Sequence, residues 1–234
     1  MSSLRRVPVG HTEFSWKADG TCPSEDEVVD SSIYLDFNAT TPIDPQVRTT
    51  MLEWLQEDGC GNPSSSYFSG RRAKRAIERS REQISTAIGA KSRKTSEGVD
   101  EVSVFFTSGA TESSNWAIKG AALAARDRLR EKGEGDCLEI VTVSTEHVAT
   151  LRTCEYLESC GFRLNVVRVD RYGRVDLDAM RESLSKRTVV VSMMLVNNET
   201  GTIQPVAAVS KLVRQHTDGA LFHWYVPSFS RSRR

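Results

Sequence analysis

Three short polar clusters carry the residue types that can do chemistry in this chain: Thr107-Ser108-Gly109-Ala110-Thr111-Glu112, Thr145-Glu146-His147 and Asn197-Asn198-Glu199-Thr200-Gly201. The first follows an apolar run (Val102, Val104, Phe105, Phe106) and opens an Ala-rich helical pattern. It reads as a buried strand, a tight glycine turn and a helix N-terminus. The first turn of a helix leaves backbone N–H groups unpaired, with the positive end of the dipole behind them. Small side chains at Ser108, Gly109 and Ala110 let an anion approach, and the hydroxyls of Ser108 and Thr111 can donate to it. A plainer reading has Ser108 capping the helix and Glu112 complementing its dipole. His147 offers an imidazole that can stack on a ring or exchange a proton near neutral pH, although a histidine after a strand is also an ordinary cap. Paired carboxamides before Thr-Gly are a turn signal, or a hydrogen-bonding site for a ring hydroxyl. Taken jointly, an anion cradle, an imidazole and a carboxamide describe a pocket for a phosphorylated aromatic ring.

Such residues act together only if the elements before them bring them together. Strands are expected over residues 138–143, 164–169 and 188–196, with another starting at 220–223. Helices are expected over 111–130, 148–159, near 177–184 and over 206–215. Strands alternating with helices imply crossover connections and a mainly parallel sheet covered on both faces. In such a sheet ligands sit beyond the carboxyl ends of the strands, where all three clusters fall.

Upstream, a short strand is expected at Ile33-Tyr34-Leu35, and Asp44-Pro45 is a cap plus first residue for a helix over 46–56. From 70 to 88, Ala73, Ala76, Ile77, Ile84 and Ile88 fit one helical face, whereas 91–101 reads as a polar loop. Residues 1–32 lack periodicity and read as an extension without fixed structure. Lys+Arg and Asp+Glu are 31 each, so no nucleic-acid footprint stands out, and no apolar run suits a membrane span. An odd five cysteines without a CxxC pair favour reduced thiols, which predicts the cytoplasm. Arg5 and Arg6 make the mitochondrion the second choice, because acidic residues soon follow them. No set of residues has metal-ligand spacing.

Five stretches then become familiar in combination: YLDFNATTP at 34–42, GNPSS at 61–65 followed by SGRRA at 69–73, FTSGATES at 106–113, Glu146-His147, and VNNETGTIQPV at 196–206. Over roughly 33–223 the chain resembles the class V aminotransferase family, and within it the cysteine desulfurases and selenocysteine lyases. The resemblance implies a fold-type I α/β large domain and pyridoxal 5′-phosphate as cofactor. Ala110 and Thr111 would hold its phosphate and His147 would stack on its ring and serve as an acid–base group. Asn198 would reach its phenolic oxygen and the substrate carboxylate. The implied reaction removes sulfur from L-cysteine, leaving L-alanine and an enzyme-bound persulfide, or selenium from L-selenocysteine. A homodimer, a sulfur-acceptor protein and a place in iron–sulfur cluster assembly are implied with it.

The resemblance stops after Phe222-His223. The family continues with Thr-Asp-Ala and a Gln, the Asp pairing with the pyridine nitrogen; this chain has Trp224-Tyr225-Val226. The family's cofactor-binding lysine and the loop with its reactive cysteine have no counterpart, and Lys211 matches no family lysine. Residues 224–234 therefore read as an unrelated tail, and the chain as an N-terminal half, truncated and by itself inactive. A non-catalytic half-enzyme, acting only by binding, is the alternative to a desulfurase or lyase. A truncated sheet is further expected to expose Val189, Val191 and Met193.

Overall fold

The computed structural model describes residues 37, 40–56, 59–90, 93–94, 100–101 and 104–226. The chain divides into two units, 1–106 and 107–234. The expected extension at 1–32, the strand at Ile33-Tyr34-Leu35 and the tail beyond Val226 lie outside the described residues.

In the first unit, helix α1 (Pro45–Leu55) starts as its sequence dictates: Asp44 accepts the Gln46 N–H at 2.8 Å and Pro45 takes the first helical position. Helix α2 (Phe68–Ala87) begins two residues before the expected Gly70. Gly70 is buried, and a Cβ there would lie 2.6 and 2.7 Å from the carbonyl oxygens of Asn62 and Ser65, which leaves room for glycine alone. The GNPSS turn is thus folded onto the start of α2, with the Asn62 N–H donated to the Tyr67 hydroxyl. The expected loop at 91–101 instead contains strands β1 (Arg93–Lys94) and β2 (Asp100–Glu101), paired antiparallel. A two-residue ladder of charged residues carries no periodicity for a sequence pattern to catch.

The second unit holds the α/β layer. Helix α3 (Ala110–Arg130) leads to β3 (Glu139–Val143), α4 (Val148–Ser159), β4 (Arg163–Val167), α5 (Leu177–Glu182), β5 (Thr188–Met194), α6 (Val206–His216) and β6 (Leu221–Tyr225). The four strands are parallel in the order β4-β3-β5-β6. One face packs Ile140 and Val190 against Ile118, Ala122 and Ala125 of α3 and Cys154 and Leu157 of α4. The other packs Val141, Val143, Val191 and Met193 against Met180 of α5 and Val209 and Val213 of α6. Each Val, Leu, Ile or Met side chain among them contributes roughly 1.5–3 kcal/mol. Among the described residues no helix is long and apolar enough to cross a membrane.

Further expectations are overturned. Residues 104–106 form no strand, and Phe105 and Phe106 are 64% and 51% exposed, because no ladder includes them. Val189, Val191 and Met193 are buried rather than exposed, since β5 lies between β3 and β6 and both of its faces are covered. The end of β6 also runs past His223 through Trp224 and Tyr225, so the expected boundary at 223/224 falls inside a strand.

Candidate functional site

The loops after β3 and β5 meet at the carboxyl ends of their strands. Asn197 makes the joint: its Nδ2 donates to the Thr145 carbonyl at 3.0 Å. Its Oδ1 accepts the N–H groups of Glu199 and Thr200 at 3.0 and 2.9 Å, which shapes the turn. The first asparagine of the pair is therefore structural, and Asn198, half-buried, follows it on the same turn. His147 caps α4, its Nδ1 accepting the Ala149 N–H at 3.2 Å. An Nδ1 lone pair used in this way puts the proton of the neutral ring on Nε2.

Glu146, beside it, is 7% exposed, and neither carboxylate oxygen has a well-formed hydrogen bond. Burial pushes its carboxyl up to about 7, while the backbone N–H groups of Met194 and His147 and the Thr150 hydroxyl pull more weakly the other way. Burial first, and then the charge of Glu146, also raises the Cys154 thiol to about 12 and the Tyr225 phenol above its ordinary range. A thiol so placed is unreactive.

Tyr225, which closes β6, brings its ring centroid to 5.9 Å from that of His147, with the planes at 47°. Two residues earlier in the strand, His223 Nδ1 lies 2.9 Å from the Ser192 hydroxyl, and burial lowers the affinity of that imidazole for a proton. Neither the burial of Glu146 nor the ring pair with Tyr225 has a signal in residue spacing. Only the departure from the family's Thr-Asp-Ala marked position 225 as unusual.

At the start of α3, Ser108 donates both its N–H and its hydroxyl to Glu112, each at 2.6 Å, which holds the Glu112 carboxyl below its ordinary range. The Ser108 hydroxyl is thus engaged within the chain and is not the anion donor expected of it. What stays open is the backbone: a Cβ added at Gly109 would meet nothing within 4 Å, and Ala110 and Thr111 are exposed in the first turn. Helix α3 packs on the β5 and β6 side of the sheet. The structure thus joins His147, Asn197 and Tyr225 at the strand ends, with Ala110 and Thr111 at the head of a helix covering the same sheet.

The family model described as aminotransferase class-V matches residues 33–224. Cysteine desulfurase IscS of Methanosarcina thermophila is 39% identical over 201 residues, covering 84% of this chain and 45% of the relative. A solved NifS-like protein superposes with a TM-score of 0.71 at 35% identity, over 82% of this chain and 48% of its own. The structure of SspA in complex with cysteine gives a TM-score of 0.67 at 30% identity, over 82% of this chain and 50% of its own. The chain spans about half the length of the relatives it matches.

Proposed function

The chain belongs to the class V aminotransferase family, and from that premise we propose that it is built as the N-terminal half of a cysteine desulfurase, an activity on L-cysteine with pyridoxal 5′-phosphate that its longest natural form would carry. The observation that carries this reading is the Asn197–Thr145 bond, which fastens the loop of His147 to the turn of Asn198 at the ligand-binding end of a parallel sheet. In this reading the N–H groups of Ala110 and Thr111 bind the phosphate. His147 presents Nε2–H as a donor while Nδ1 stays in the helix cap, and Asn198 orients the substrate carboxylate. A proton added at Nδ1 would break the cap, so His147 works first as a fixed donor and ring platform.

The residues present fit this cofactor at one end only. The open space at Gly109 suits a phosphate, but the ring of His147 already pairs with Tyr225, a neutral phenol where the family resemblance calls for a carboxylate. A fit at the phosphate end alone carries no catalytic step through the cofactor. The same contact favours the second reading, a non-catalytic half-enzyme that binds without turnover. Homodimerisation, a sulfur-acceptor protein, a role in iron–sulfur assembly and a cytoplasmic location go with the first reading. Incubating the longest natural form of the protein with cofactor, L-cysteine and a thiol reductant tests it: sulfide and L-alanine should appear in equal amounts. No alanine from a folded protein rejects the desulfurase, and selenide from L-selenocysteine without sulfide moves the reading to a selenocysteine lyase.

A further inference from the structure

We propose that Tyr225 stands in the ring-binding place of the strand-end site, so that the site as this chain builds it excludes a pyridoxal ring. Strands β3 and β6 are not neighbours, because β5 lies between them. Two strand spacings of about 4.8 Å therefore separate the backbone that precedes His147 from the backbone that carries Tyr225. Their ring centroids are nevertheless only 5.9 Å apart, so the two side chains lean towards each other across the end of β5. That is the crevice in which a ligand of a parallel sheet sits. The backbone of Tyr225 is pinned there, its carbonyl accepting the Leu195 N–H at 2.8 Å and its Cα paired with Met194. The ring distance lies within the range at which aromatic pairs attract.

Chemistry points the same way as space. An aspartate at this position would be short and anionic. A tyrosine reaches several ångströms further, into the volume of the ring, and remains a neutral phenol, more so because of its partial burial and, after that, the charge of Glu146. The identity of the excluded ring, and only that, rests on the desulfurase-type reading.

Calorimetric titration of the full chain with 4′-deoxypyridoxine 5′-phosphate, which has no aldehyde to label lysines, is compared with titration by inorganic phosphate. The chain should bind the two within about threefold of each other. Tyr225→Asp and Tyr225→Leu should gain about tenfold or more for the ring ligand, and Tyr225→Phe, which keeps the ring, should gain nothing. Ring-selective binding by the unsubstituted chain, or no gain in either folded variant, overturns the proposal alone. If neither ligand binds to any of the four proteins, the desulfurase-type reading falls and this proposal with it. In the unsubstituted chain, nuclear Overhauser contacts between the rings of Tyr225 and His147 are also expected. Their absence overturns the placement without recourse to a variant.

Discussion

Glu146 and His147 are neighbours in sequence with opposite circumstances, and each difference is measurable. The Glu146 carboxyl is raised from an ordinary 4.5 to about 7 by burial, so the folded chain holds that proton more tightly than the unfolded one. Its contribution to stability is complete below about pH 4.5 and is lost as the pH rises towards 7, a change on the order of 3 kcal/mol. His223 acts in the opposite sense, because burial lowers its proton affinity and its contribution is lost as the pH falls below its ordinary 6.5. Urea unfolding of the parent and of Glu146→Gln between pH 4.5 and 8 separates the two. The difference between the proteins should shift in favour of the variant as the pH rises, and a pH-independent difference would show that Glu146 is not buried as described. His147 in turn has two roles that substitutions can part. Asn accepts the same cap bond, so His147→Asn should keep stability while His147→Ala loses about 1 kcal/mol. Both should lose turnover in the longest natural form, and wild-type turnover in either removes His147 from the site.

At the scale of elements, the turn after β5 divides labour between its two asparagines. Asn197→Ala removes the link to Thr145 and the acceptor of the Glu199 and Thr200 N–H groups, and should cost roughly 2–4 kcal/mol by thermal denaturation. Asn198→Ala should weaken substrate binding in the longest natural form, and an unchanged KM for L-cysteine there would remove Asn198 from the site. The elements most legible in sequence are those with local punctuation. Asp44-Pro45 begins α1, Gly109 precedes α3 and His147 precedes α4, and the β-branched run of β5 announces a strand buried on both faces. Residues 104–106 have the same apolar character, yet strand formation requires a partner, which no local pattern encodes. The candidate site was legible as types of residue near strand ends. The pairing of Tyr225 with His147 was not, because it arises from a strand order in which β6 lies two places from β3.

Across the whole molecule, burial is distributed unevenly between the two units. In the second, apolar side chains from four strands and four helices enclose both faces of a parallel sheet, so opening β3 or β5 means losing that core. In the first, Gly70 alone is buried among the described residues, while Val47, Met51, Leu52 and Leu55 of α1 are exposed. A helix without a packed apolar face is held by little beyond propensity and its cap, since short helices are marginal in water. Local opening should therefore cost far less in α1 and α2 than in the sheet. Hydrogen exchange of the full chain should show amides of β3 and β5 opening near the global free energy, and those of α1 exchanging at least about a hundredfold faster. Lowering the protein concentration should leave that contrast unchanged if α1 is uncovered in the monomer. Protection of α1 that equals β5 and fades on dilution would mean instead that a second copy covers Val47, Met51, Leu52 and Leu55 in solution.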